Sequence, residues 1–247
     1  MLGLQIYTVR SRTSSKEGCE QTLRKLKEIG YDCIQLAGGI DSIELVAEAS
    51  AKTGLLAVGI LSNIDTCDIE FDRVVKAARL CGARDVGVSG KTSTEAETRE
   101  FAKRVSSVAK RYRDAGFSFS YHNHSHEFVR TECGLTVMDI LLSEFDKELV
   151  NLMPDTYWLQ HGGIDVRAFI EQHSGRIDIL HVKDMKRTQE GVTFAEVGEG
   201  NLNMPGIIDV AKKIGVKDYI VEQDVCDIDC LLSSEISYNN LKKILNS

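Results

Sequence analysis

The chain has 247 residues, enough for one large barrel or two small domains, and its 37 acidic against 30 basic side chains give a formal net charge of −7. That balance argues against a broad phosphate-binding surface and so against nucleic acid as a partner. Seven scattered cysteines without CxxC spacing, and no secretory leader before Leu2, predict reduced thiols in a cytoplasmic protein, and no apolar run nears the roughly 18 residues of a membrane helix.

The opening run Leu2–Val9 reads as a strand. Thereafter one phrase recurs, a helical tail, a glycine and a short apolar run: KEIGYDCIQLA, AKTGLLAVGIL, RLCGARDVGVS, RDAGFSFSYHN and KKIGVKDYIVE. A glycine just past a helix takes the left-handed conformation that closes the last turn, and the Val/Ile/Phe/Leu run that follows reads as a buried strand. Helices are predicted near 17–29, 42–53, 69–81, 94–115, 136–146, 165–173, 205–214 and 233–245. The one from Thr94 carries a Thr94…Glu97 capping box and an apolar face of Phe101, Val105, Val108, Ala109 and Tyr112. With strands ending near Asp155 and His181 the count is eight strand-then-helix units, which predicts a single (β/α)₈ barrel over residues 1–247. A doubly wound open sheet is the alternative, but neither GxGxxG nor GxxxxGK[ST] occurs.

Four ligand-type side chains sit where apolar runs stop: Glu127 after Phe117–Tyr121, Asp155 after Val150–Pro154, His181 after Ile177–Leu180 and Glu222 after Tyr219–Val221. Parallel barrel strands converge at one rim, and three oxygens with one nitrogen suit a divalent cation. In YHNHSHEF, His122 and His124 would face substrate or share ligation and His126 would lie at the surface; the segment also reads as a solvated turn. Asp155 reads equally as the cap of a turn. Trp158, the one tryptophan, offers a flat wall for a sugar ring or belongs to the core, and His161 is a possible donor to substrate. HVKDM places His181 and Lys183 on one side of an extended segment, with Lys183 able to hold a substrate oxygen or pair with an acid. Gly198 and Gly200 flank Glu199 in a loop whose N–H groups could approach an oxyanion. Asp224 follows Glu222 on the same side.

Together LGLQIYTVR, YHNHSHEF, PDTYW…GGID, HVKDM, EVGEGNL and IVEQD, in this order from Leu2 to Asp224, resemble the xylose isomerase-like barrel family of sugar isomerases, ketose 3-epimerases and inosose dehydratases. The resemblance implies Glu127, Asp155, His181 and Glu222 as ligands of a divalent ion, Mn²⁺ first, with Mg²⁺, Co²⁺ or Zn²⁺ as substitutes. It implies a small carbohydrate as substrate, and leaves a homo-oligomer open. The expected chemistry is proton removal α to a carbonyl through an enediolate, with Glu222, His122, His124 and Lys183 as catalytic candidates and Trp158, His161 and Glu199 against the substrate. Isomerase or epimerase leads, a dehydratase acting on a keto-inositol or 3-keto-glycoside follows, and a non-catalytic sugar-binding barrel is the third reading. A related three-metal nuclease would need a basic face, which the charge of −7 denies. One departure stands out: ketose 3-epimerases carry their first glutamate directly on strand five, where this chain has Tyr121 and His122.

Overall fold

The computed structural model describes residues 1–38 and 43–247. Eight parallel strands form one sheet: β1 (Leu2–Gln5), β2 (Cys33–Ala37), β3 (Leu56–Asn63), β4 (Asp85–Ser89), β5 (Ser118–His122), β6 (Asn151–Met153), β7 (Ile179–Val182) and β10 (Asp218–Val221). Their order is β6-β5-β4-β3-β2-β1-β10-β7. The two ends of that row meet through a parallel bridge between Asp155 and His181, with the His181 N–H donating to Pro154 O at 2.9 Å, so the sheet closes into the expected barrel. Helices α1 (Lys16–Ile29), α2 (Ile43–Thr53), α3 (Ile64–Ile69), α4 (Phe71–Cys81), α5 (Glu95–Asp114), α6 (Val137–Glu144), α7 (Thr156–His161), α8 (Val166–Gln172), α9 (Met204–Ile214) and α10 (Cys230–Asn246) alternate with the strands. All five glycines of the repeated phrase have positive φ, between 69° and 119°, the conformation a helix stop of this kind requires. The Thr94–Glu97 capping box is present. Residue 42, where the second helix was predicted to begin, lies outside the described residues.

Three local differences shape the site. The opening strand stops at Gln5 instead of Val9, because the Gln5 side chain accepts the Tyr7 N–H and Ile6–Arg12 turn into a 3₁₀ segment at the rim. Two short helices, α3 and α7, follow directly on strands and were not predicted; each starts on a side-chain cap, Asn63 and Asp155. An antiparallel hairpin, β8 (Asp184–Thr188) and β9 (Gly191–Ala195), rises outside the barrel where only a loop was expected.

Alternation along each strand sorts the side chains. Leu2, Leu4, Ile34, Leu36, Phe119 and Tyr121 belong to the large apolar core, while Cys33, Val58, Met153, Ile179 and Ile220 form a separate inner cluster. Gly3 lies between these inner residues: a Cβ there would fall 2.6 Å from both Cys33 Sγ and Ile220 Cδ1, so only glycine fits. No helix among the described residues is long and apolar enough to cross a membrane.

Candidate active site

The inward register that places Cys33, Met153, Ile179 and Ile220 inside the barrel carries on, two residues later, to Gln35, Asp155, His181 and Glu222; on β5 and β1 the site takes His122 and Gln5. One ligand-type atom from each of His122, Asp155, His181 and Glu222 lies within 4.8 Å of the others, and all four residues are buried. Glu127, which the sequence placed with Asp155, His181 and Glu222, stands elsewhere. The chain leaves β5 at His122 and folds into a 3₁₀ turn over His126–Phe128. This tucks the Glu127 carboxylate beneath Tyr121, where it accepts the phenol at 2.9 Å and the His124 N–H at 2.9 Å, in a separate group with His124 and His126. His126 is partly exposed and lies 2.8 Å from Gly90 O.

Lys183 is the centre of charge. Its buried ammonium lies 3.1 Å from Asp155 Oδ2, 3.0 Å from Glu222 Oε2 and 3.0 Å from Asp224 Oδ1. Burial opposes this charge, but the three carboxylates prevail and raise the Lys183 pKa. Burial also works to raise the Glu222 carboxyl, yet Lys183 and His181 hold it well below the usual range. Asp155 goes the other way: burial pushes it up to about 6, against the pull of Lys183. Burial drives His122 well below its ordinary value and His124 down to about 4, so both rings are neutral near pH 7.

His181 is held from both sides, with Nδ1 2.8 Å from Glu222 Oε2 and Nε2 2.6 Å from Gln35 Oε1, an oxygen that also accepts from Gln5 Nε2 at 2.7 Å. An amide fixing one ring nitrogen is the kind of outer contact that orients a ligating histidine. The donor set fits a divalent cation in kind. His122 Nδ1 is buried with no hydrogen-bond partner among the described residues, Asp155 Oδ2 has only the Lys183 ammonium, and a neutral His122 ring and an ionised Glu222 carboxylate are ligand forms. Two nitrogens and two oxygens, in place of the expected one and three, suit a borderline ion such as Zn²⁺ better than Mg²⁺. Such an ion would share Asp155 and Glu222 with Lys183.

A cavity of about 300 Å³ opens above this floor, walled in part by Gln5, Tyr7, Ser62, Ser89, His122 and His124. Trp158 stands beside it, its ring 5.5 Å from Lys183 Nζ and from the His124 ring, and its buried indole N–H has no partner among the described residues. His161 and Glu199 are not brought in. His161 is exposed at the end of α7, stacked on Tyr157 at 5.6 Å, and Glu199 is exposed and accepts from Asn240 Nδ2 of α10 at 2.9 Å. The Gly198 and Gly200 N–H groups do approach an oxyanion, but it is the buried Asp184 carboxylate, at 2.9 and 3.3 Å. Sequence reasoning missed Gln5, Gln35 and Ser62, because an amide or hydroxyl inside a strand carries no motif; inward parity with the strand-end ligands was the available signal.

The structure is a parallel barrel with a His/Asp/Glu group at the C-terminal ends of its strands, and the sequence places it in a family of that architecture. Residues 23–225 match the xylose isomerase-like TIM barrel family, and the chain belongs to it. Among curated proteins it is similar to an inosose dehydratase of Lactiplantibacillus plantarum, 26% identical over 156 residues, 56% of this chain and 50% of that protein. The chain thus matches only half the length of that relative. Among solved structures it resembles a sugar phosphate isomerase/epimerase from Parabacteroides distasonis (TM-score 0.80, 21% identity, 98% of this chain and 93% of that one). It also resembles the IOLI protein with a bound zinc atom (TM-score 0.76, 13% identity, 99% and 98%). At these identities the structural likeness establishes the fold.

Proposed function

We propose that the protein is a divalent-metal-dependent enzyme that removes a proton α to the carbonyl of a small polyhydroxylated compound, an isomerase or epimerase in the first reading. The observation that carries this is the Glu222–Lys183 pair on the cavity floor beside two neutral imidazoles. An ion held by His122, Asp155, His181 and Glu222 supplies Lewis acidity to the substrate carbonyl when bound. Glu222, kept ionised by Lys183 and His181, takes the carbon-bound proton, and the Lys183 ammonium balances the negative charge that develops on the enediolate. Tyr7 in the wall, with Trp158 beside Lys183 and His124, offers the ring an apolar boundary. Return of the proton from Glu222 to the neighbouring carbon isomerises; delivery of a solvent proton to the opposite face, through a second group such as the His122 or His124 ring, epimerises.

A second reading, loss of a β-hydroxyl as water, is supported by the relative named inosose dehydratase and by position 122, where a histidine leaves Glu222 without a glutamate opposite it. Incubation in D₂O with keto-hexoses, keto-inositols and 3-keto-glycosides tests both. Deuterium should enter the α-carbon of at least one recovered compound, and Glu222→Gln should slow the exchange more than about a hundredfold. Exchange with water loss selects the dehydratase. Binding of a sugar without any exchange would leave only a sugar-binding barrel.

A further inference from the structure

The charge in the cavity bears on what the enzyme can admit. Three carboxylates, those of Asp155, Glu222 and Asp224, face a single ammonium, and Lys183 already contacts all three at 3.0–3.1 Å. Among the described residues no other lysine and no arginine lines the cavity. The undescribed stretch 39–42 is Gly-Ile-Asp-Ser, which holds no basic side chain. Arg10, the nearest arginine in sequence to the wall residue Tyr7, is spent on the carbonyls of Tyr7 and Asp224 at 2.7 and 2.9 Å and opens onto a neighbouring cavity. Lys91, in the loop after β4, is exposed and is not part of the wall. Lys183 and the three carboxylates it touches therefore sum to two negative charges, which a divalent ion would balance without leaving a free cation in the described wall.

The remaining polar groups of the described wall are neutral, and two of them lack a partner. Ser62 Oγ and His124 Nδ1 are buried and have no hydrogen-bond partner among the described residues, and Ser62 is 5% exposed. Buried polar atoms of this kind cost stability unless something pairs with them, and sugar hydroxyls, which both donate and accept, do so without bringing charge. The volume of about 300 Å³ sits at the small end of ligand pockets. A phosphate monoester, by contrast, is bound by arginine forks, lysines or helix N-termini; here the one lysine of the wall is already paired with three carboxylates, and α3, whose cap Asn63 reaches the wall, is only six residues long.

Resting on the proposed reaction, we infer that the substrate is an uncharged, unphosphorylated polyhydroxy carbonyl compound, in contrast to the sugar phosphate named for the Parabacteroides distasonis structure. The test is calorimetric titration of zinc-loaded protein with matched pairs: D-fructose, D-tagatose and D-psicose against their 6-phosphates, with a keto-inositol as a further neutral probe. Each neutral member should bind at least about tenfold more tightly than its phosphate. Ser89→Lys, which adds a cation to the wall, should narrow that ratio about tenfold. A phosphate that binds as tightly as its neutral partner, or a ratio unmoved in Ser89→Lys, overturns the inference, as does a protein that binds no probe. Deuterium exchange on the same compounds separates the two ideas: tight neutral binding without exchange removes the proposed reaction and leaves the charge selection standing, while exchange on a preferred phosphate does the reverse.

Discussion

Lys183 shows why the site is sensitive to single substitutions. An ammonium that is 1% exposed is tolerable only because three carboxylates surround it, and those carboxylates are tolerable only because of the ammonium. The ligand question also turns on one side chain. If His122 completes the donor set, His122→Ala should lower the metal content of the purified protein, while Glu127→Gln should leave it full; elemental analysis decides, and full occupancy in His122→Ala would exclude that ring. Glu127→Gln should instead cost about 1–3 kcal/mol of stability by urea unfolding, since its carboxylate satisfies both the Tyr121 hydroxyl and the His124 N–H. The sequence could not choose between these residues. In YHNHSHEF four candidates fall within six positions, and which one faces inward depends on where β5 ends. That end is set by packing of Tyr121 against Phe101 and Phe145, which no local pattern encodes. Asp155, His181 and Glu222 were legible because each is the lone ligand-type residue at the end of its apolar run.

The hairpin β8–β9 depends on one carboxylate. Asp184 is fully buried and accepts the N–H groups of Met185, Gly198, Gly200 and Leu202, so it fastens the foot of the hairpin to the loop that returns toward α9. At Gly200 a Cβ would lie 2.3 Å from Asp184 Oδ1 and 2.7 Å from the Met185 carbonyl. Asp184→Ala, which leaves several N–H groups without an acceptor, should destabilise the protein by about 3 kcal/mol or more, and Gly200→Ala should act in the same direction. Hydrogen exchange should show the loss of protection concentrated in residues 184–202; a uniform change would refute the local role. The hairpin also carries Phe194, whose ring stacks on Tyr157 at 4.4 Å and lies 5.7 Å from Lys183 Nζ, so the same anchor positions an aromatic flank of the site. Its sequence signals are weak: the turn at 189–190 lacks an Asn-Gly pair, β8 is largely polar, and both strands are mostly half-buried. The barrel units, in contrast, announce themselves through glycines whose positive φ leaves few other residues possible.

At the scale of the molecule, both ends of the barrel store unfavourable charge that can be read as stability. Asp85, buried at the start of β4, accepts the Ser118 and Ser120 hydroxyls at 2.8 Å each, but its other oxygen has no hydrogen-bond partner among the described residues and burial raises its pKa. A raised carboxyl binds its proton more tightly in the folded state, so its contribution is favourable below the unfolded value near 3.9 and is lost as pH rises through the folded one. Asp85→Asn should therefore raise the Tm at pH 7, and the gain should shrink as the pH is lowered toward 4; a gain independent of pH would point to packing instead. The other end holds the seam. β6 and β7 lack the ladder that joins every other neighbouring pair of barrel strands and meet through the Asp155–His181 bridge, the two residues proposed to share an ion. An ion bound only by the folded barrel stabilises it by mass action, about 2.7 kcal/mol at a hundred times Kd. For a chain of this length that corresponds to roughly 5–10 °C in Tm, so EDTA should lower the melting point by this amount and Zn²⁺ should restore it. Because the ion would tie the seam itself, chelation should also release the amides of residues 151–155 and 179–183 to exchange before those of β2 and β3. An unchanged melting curve after metal removal, verified by elemental analysis, would show that the seam closes without an ion.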